Sequence, residues 1–556
     1  SGGRVWNSLK TNLSKHTCCF SDFRWPEDAP LFPSGAQIRQ YIEDYATTFD
    51  LRRFVRFGHV VTSVSRSSTG AWYVEFMKSV TPEVGREGDR HTEVFDRCIV
   101  ASGIFSEPYF PPPSKVQGIV DAVQTGWATH SAAYRDPSFS AGKTVLVVGC
   151  AFSGAEIASD LARTASRCLA STGRPSLFLP RLIPKTGGDR GARADDRESH
   201  PPSPGGEGGG RNVNIGDGCG CKKSSQPLVP LDIALYSRKG RAEFKASPAS
   251  SEEKVGAVRQ FLLQLSGRDP GEIHDALRLD GDSDDVRPPH VAVSDEFLDR
   301  VRDGLIEVRP RLIAVDAREK KARFADGTIE EVDHIIFCTG LRPRLSFLPQ
   351  SVLHQLEYEP DDLLQPLILE HQTWKACLPD LAFVGMYRGP YLGVMELQAR
   401  WATRMWGGLV DPPPALASDA ALEESRIVRA KFPRPQFPTD YVDMMEALAM
   451  VAGLIPSSSP VTQSKSKIPA ARDGPSYVLQ DASTTPEIQQ SDIVSLGEDS
   501  MENPQISSDV DGGFGSSDGC LIREINQVME WMWSGPLLPC HYFIRQHLGN
   551  DLSSVD

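Results

Sequence analysis

A chain of 556 residues with 40% apolar composition is long enough for two or three globular domains. Its net charge of −14 is concentrated: residues 473–522 hold ten Asp or Glu and no Lys or Arg, so 14 − 10 leaves about −4 for the rest. The folded parts therefore offer no basic footprint for nucleic acid, and the longest apolar stretches, such as residues 447–456, fall short of the ~20 residues a membrane span needs. The sequence starts at Ser1 without an initiator methionine, as a processed protein, a fragment or an incomplete gene model would, and it carries no secretory signal. With an odd count of eleven cysteines in no disulfide framework, it reads as cytoplasmic.

In chain order, residues 35–51 repeat apolar side chains at helical spacing (Ile38, Tyr41, Ile42, Tyr45, Phe49), which predicts an amphipathic helix. Strands are predicted over 57–64 and 71–76, then over the stretch that ends in Ala101, Ser102 and Gly103. The segment 142–162, GKTVLVVGCAFSGAEIASDLA, reads as strand, tight turn and helix. Val145 to Val148 form the continuous apolar run of a parallel strand buried on both faces. Ile157, Ala158, Leu161, Ala162 and Ala165 then recur at helical spacing. Between them Gly149, Cys150, Ala151, Phe152, Ser153 and Gly154 form a G-x-A-x-x-G turn, with Ala151 where a middle glycine is usual. Such a turn aims backbone N–H groups and a helix N-terminus at a pyrophosphate. A small strand at 168–170 follows, and after it Ser171, Thr172 and Arg174 stand where NAD enzymes place an acidic residue for the ribose. Hydroxyls and an arginine there suit the 2′-phosphate of NADPH.

Residues 185–226 and 456–520 have compositions that cannot bury enough apolar surface to fold, and they leave three ordered parts. Cys219 and Cys221, inside the first, have no His or Cys partners at zinc spacing, so no metal site is expected. The stretch 332–343 ends in Cys338, Thr339 and Gly340 and repeats the small-residue-plus-glycine ending of 101–103. Finding it on both sides of the 142–162 unit suggests one nucleotide domain inserted into another. Glu396 and Arg400 lie four apart on a predicted helix, the spacing of a simple ion pair.

Several of these pieces, in order, resemble the flavin-containing monooxygenases. Residues 8–57 look like the family's region after its first nucleotide motif. QTGWATHSAAY (124–134) is similar to the signature F-x-G-x-x-x-H-x-x-x-Y, with Gly126, His130 and Tyr134 in place and Gln124 for the phenylalanine. The 142–162 fingerprint resembles the family's NADPH turn, and ELQARW (396–401) its late flavin-domain segment. Family members place a FAD-binding strand and G-x-G-x-x-G turn upstream of the position matching Asn12, and this sequence shows neither.

The resemblance implies an α/β fold of two nested, doubly wound, Rossmann-like domains, with the NADPH domain inserted in a FAD-type domain. The expected division is 1–115 and 329–405 for the FAD-type domain, 116–328 for the NADPH domain, 406–455 for a helical region, 456–520 for an acidic linker and 521–556 for a tail that covers the active-site side with helix. The implied cofactors are FAD and NADPH, and the implied reaction transfers one oxygen atom of O2, by way of a C4a-hydroperoxyflavin, to a soft nitrogen or sulfur nucleophile of a small molecule. Asn12 matches the family's asparagine beside flavin and nicotinamide and is the candidate catalytic residue. Thr11, Leu13, Ala101, Ser102, Gly103, Thr339, Gly340 and Gln398 are candidate flavin contacts, the 149–154 turn with Ser171, Thr172 and Arg174 the candidate NADPH contacts. His130 is expected to serve the connection between the domains. Two alternatives stay open: a Baeyer–Villiger-type monooxygenase, and an inactive fragment that binds NADPH alone.

Overall fold

Two apolar-centred α/β bodies, joined where the chain crosses between them twice, make up the computed structural model, which describes residues 4–78, 90–184, 228–279, 290–389, 391–430, 440–455 and 542–544. The stretches 185–226 and 456–520 lie outside the described residues.

The first body grows around strand Thr144–Val148. Alternate side chains of this strand enter two different cores. Val145 and Val147 pack with Ile157, Ala158, Leu161 and Phe297 on one face. Leu146 and Val148 pack with Ile119, Trp127, Ile335 and Phe324 on the other. Each fully buried aliphatic side chain here contributes about 1.5–3 kcal/mol, so the strand must be central. Its sheet is parallel, in the order Glu307–Arg309, Arg167–Ser171, Thr144–Val148, His334–Phe337, Ala128–His130. Helix Phe152–Leu161 covers the first face and helix Ile119–Gln124 the second, the doubly wound arrangement expected.

In the second body, strand Arg97–Val100 runs parallel to Leu381–Phe383. An antiparallel sheet of His59–Arg66, Trp72–Lys78 and Arg90–Phe95 lies beside it, and both feed a core containing Val64, Trp72, Val74, Cys98, Val100 and Phe383. The amphipathic segment after Pro33 forms helix Gly35–Thr48, started by a capping box between Ser34 and Gln37. It buries Tyr41 and Tyr45 against Phe20, Leu51 and Leu392. The region 406–455 holds helices Ala415–Ala430 and Tyr441–Val451. Of the tail expected to be helical, the described part is the backbone of Tyr542–Ile544, which is a strand antiparallel to Arg97–Val100. An edge strand with unpaired N–H and C=O groups accepts such pairing, and apolar composition alone does not distinguish it from a helix.

The two crossings sit side by side. Glu107–Pro108, leaving the second body, pairs antiparallel with Leu341–Arg342, returning to it. All five strands of the first body's parallel sheet lie between these crossings. His334–Phe337 aligns with Val145–Val148 in the first sheet. A short apolar strand with a small-residue ending reads the same in either sheet, and only its partner tells them apart.

Glu357 ties the late helices to the second body, accepting from Arg426 Nη2 at 2.8 Å and Lys375 Nζ at 3.0 Å. These two cations hold its carboxyl well below the ordinary 4.5, at about 2. A depressed carboxyl stabilises the fold fully above its unfolded value and loses that contribution as pH falls through the folded value. Glu357→Gln should therefore remove one component of the stability loss between about pH 4.5 and 2. Urea unfolding of both proteins across that range should show the two curves converging as pH falls.

Candidate active site

At the end of strand Thr144–Val148 the backbone turns through Gly149, whose φ is +97°. A Cβ there would lie 2.9 Å from the Cys338 carbonyl oxygen. The constraint is tighter at Gly154, where a Cβ would sit 1.6 Å from the Gly149 carbonyl oxygen. Only a bare backbone lets the helix close onto the turn. Ala151 is the N-cap of helix Phe152–Leu161 and makes no side-chain cap, so no N-cap side chain satisfies the first-turn N–H groups of Phe152, Ser153 and Gly154. With the helix dipole they present about half a positive charge. The Cys150 side chain points the other way, into the core, with Sγ 3.5 Å from the Ser171 carbonyl. Burial pushes its thiol up to about 12.

Beyond the next strand the candidates separate. Ser171 is buried and its hydroxyl is engaged with backbone, donating to Pro310 O at 2.7 Å and accepting from Leu312 N at 3.0 Å. Thr172 donates to the Arg174 carbonyl at 3.0 Å. Arg174 itself is exposed. Beside it stands Arg311, also exposed, whose Nη2 donates to Gly173 O at 3.0 Å. Arg311 lies 137 positions further along the chain, and nothing in its local sequence marks it.

The flavin-side candidates divide in the same way. Ala101, Ser102 and Gly103 form a half-buried turn after strand Arg97–Val100. Ser102 Oγ is buried without a partner among the described residues. Thr339 donates to Tyr109 O, and Gly340 O accepts from Tyr109 N at 3.0 Å and His130 Nε2 at 2.9 Å. His130 Nδ1 accepts from Ala132 N at 3.1 Å, which fixes the tautomer with the proton on Nε2. Burial lowers its pKa, so the ring is a neutral latch on the crossing. Gln398 is fully buried with both ends of its amide on backbone: Oε1 accepts from Gly385 N at 2.9 Å and Nε2 donates to Gln372 O at 3.1 Å. It braces two loops. Glu396 and Arg400 form the i,i+4 ion pair and also hold Ser21, whose N and Oγ donate to Glu396.

The segment around Asn12 is fastened to the inserted body by side chains no motif announced. Asp160, on the fingerprint helix, accepts from Ser8 Oγ at 3.0 Å and Tyr134 OH at 2.7 Å. Buried Asp232 accepts from Ser14 N and Oγ at 3.1 and 2.8 Å. Between them Arg181 donates to Thr11 O at 2.9 Å and Asn12 Oδ1 at 3.3 Å. Thr11 Oγ1 bonds the Leu13 carbonyl at 2.7 Å and so tightens the same turn. Asn12 and Leu13 are half-buried. Among the described residues no group of three His, Cys, Asp or Glu could hold a metal, and no helix is long and apolar enough to cross a membrane.

Residues 2–188 and 274–466 match the family model of the flavin-binding monooxygenase-like proteins, well over half of the chain. The chain belongs to that family. This flavin-binding monooxygenase-like chain is 28% identical over 463 residues to mouse dimethylaniline monooxygenase [N-oxide-forming] 2, covering 81% of this chain and 74% of the relative. Human dimethylaniline monooxygenase [N-oxide-forming] 4 is 28% identical over 474 residues, covering 82% and 71%. A cyclohexanone monooxygenase mutant from Rhodococcus sp. Phi1, solved with NADP+ bound, superposes with a TM-score of 0.50 at 16% identity, covering 81% of this chain and 88% of that one. At that identity the likeness is one of fold.

Gly154→Ala drives a methyl into the Gly149 carbonyl and should destabilise the protein by about 1–3 kcal/mol or more. NADP+ titration and thermal melting of the same variant should show weaker binding together with the lowered melting temperature.

Proposed function

We propose that the chain is an NADPH- and FAD-dependent monooxygenase that delivers one atom of O2 to a soft nitrogen or sulfur nucleophile of a small molecule. The observation that carries this reading is the Gly149–Gly154 turn with an uncapped helix N-terminus, followed one strand later by exposed Arg174 and Arg311. A pyrophosphate fits the first and a 2′-phosphate the second. The unpartnered buried hydroxyl of Ser102 is consistent with a polar ligand on the flavin side, because buried hydroxyls are ordinarily satisfied. The dimethylaniline monooxygenases among its relatives support a nitrogen nucleophile.

When bound, NADPH supplies the hydride and the flavin with O2 supplies the oxygen-transfer chemistry. The chain's own residues bind, orient and keep water out. The first-turn N–H groups of Phe152, Ser153 and Gly154 would hold phosphate oxygens, and Arg174 and Arg311 would select the phosphorylated ribose. Asn12 would offer its carboxamide to the reacting groups, as its match to the family's asparagine beside flavin and nicotinamide implies. His130 takes no proton in this scheme, since its ring is held neutral between Gly340 O and Ala132 N.

The full chain loaded with FAD should bleach on anaerobic NADPH addition and, with oxygen, convert a thioether to its sulfoxide faster than a cyclic ketone to its lactone. Failure to take up FAD, or lactone as the main product, would sink this reading. Arg174→Ala should cut the preference for NADPH over NADH by on the order of tenfold, seen as a rise in KM for NADPH with little change for NADH.

A further inference from the structure

We propose that Arg181 is a positioning residue that fixes the orientation of the Asn12 carboxamide, with the oxygen held back and the NH2 turned away, so that Asn12 serves the site as a hydrogen-bond donor. The inference rests on Asn12 reaching the reacting groups, and its geometric part stands apart from that.

The argument begins with what a guanidinium can do: it has N–H donors and no acceptor. The Asn12 atom facing Arg181 Nη2 at 3.3 Å is therefore the carbonyl oxygen Oδ1. With the oxygen committed, the carboxamide presents its two N–H donors in the opposite direction. Arg181 is itself held on every side. Its side chain is 7% exposed, and Nη1 donates to Asp295 Oδ2 at 2.7 Å while Nη2 donates to Glu156 Oε2 at 3.2 Å. Its backbone N donates to Asp295 Oδ1 at 2.8 Å, and its carbonyl accepts from Leu231 N at 2.9 Å. Nε carries the bond to Thr11 O, so the fork grips the backbone before Asn12 as well as its side chain. A planar fork with three nitrogens in use has one way to sit, which a lysine ammonium does not reproduce.

Arg181 follows strand Leu177–Leu179 of the inserted body, and Glu156 lies on the fingerprint helix. One buried cation thus connects the nucleotide helix to the Asn12 turn. The Asn12 segment keeps its other anchors without it, at Ser8 through Asp160 and at Ser14 through Asp232. Loss of Arg181 should free the turn while leaving the segment docked.

Backbone amide hydrogen exchange and product yield per NADPH, measured on the full-length flavin-loaded protein, test the two halves separately. In Arg181→Met, and to a lesser degree in Arg181→Lys, the amides of residues 11–13 should exchange about tenfold or more faster while those of 14–17 stay at the wild-type rate. Arg181→Lys keeps a cation between Glu156 and Asp295 and covers the case in which the methionine variant fails to fold. Asn12→Asp should keep 11–13 protected, because a carboxylate pairs well with Arg181. It should nonetheless lose about tenfold or more in product per NADPH and release hydrogen peroxide instead, for want of a donor. Adding Arg181→Met to Asn12→Ala should lower the yield no further. Wild-type exchange at 11–13 in the lysine and methionine variants overturns the positioning role, and full yield in Asn12→Asp overturns the donor assignment. A wild-type protein that oxidises no NADPH would count against the proposed function, with the exchange data still deciding the role of Arg181.

Discussion

The structure depends on the chain crossing between two bodies twice at one place. Glu107–Pro108 and Leu341–Arg342 are paired with each other, and just inside them Tyr109 N and His130 Nε2 converge on the Gly340 carbonyl. Because the return crossing begins at Cys338, whose carbonyl lies against Gly149 and whose Cβ would touch one added at Gly154, the hinge and the nucleotide turn are one packed unit. Two bodies joined by a single strand would be free to reorient. Two adjacent and mutually bonded crossings limit that freedom, and they fix which edge of the nucleotide sheet faces the second body.

The segment before the first helix completes the connection. It contributes no strand to either parallel sheet, yet it bonds to both bodies: Ser8, Thr11, Asn12 and Ser14 to Asp160, Arg181 and Asp232, and Ser21 to Glu396. Its polar groups replace hydration with carboxylates and a guanidinium that are themselves largely buried. Such charge-assisted bonds are worth more than neutral ones and cost more when one partner is lost. The position of Asn12 is therefore set by residues on the inserted body, against whose core Trp6 and Leu9 also pack.

Much of this was legible in the sequence wherever the signal is local. The buried strand, the 149–154 turn and the following helix stand as residues 142–162 imply, because apolar runs and glycines at close approaches leave a direct mark on composition. Glu396 with Arg400 as an ion pair was equally readable from their spacing of four, whereas the connecting role of His130 came from the family resemblance, its partner Gly340 O lying 210 positions away. What sequence could not supply is pairing over long range. His334–Phe337 and Arg97–Val100 end alike and belong to different sheets. Gln398 and Ser171 have the chemistry of ligands, and their bonds to backbone groups 13 to 141 positions away could not be read from the sequence. Arg181 and Arg311 lie in stretches with no motif, and their partners are brought to them only by the folded chain.

The buried thiols lining the nucleotide body carry a consequence for chemical durability. Cys150 and Cys168 are free and buried, and burial pushes both thiols up, which keeps them in the neutral thiol form near neutral pH. Oxidants attack the thiolate, not the thiol. The sulfur packed beside the Gly149–Gly154 turn is thus kept in the protonation state that a peroxide attacks least. The same low polarity that lets these side chains fill the core also shields them from oxidation.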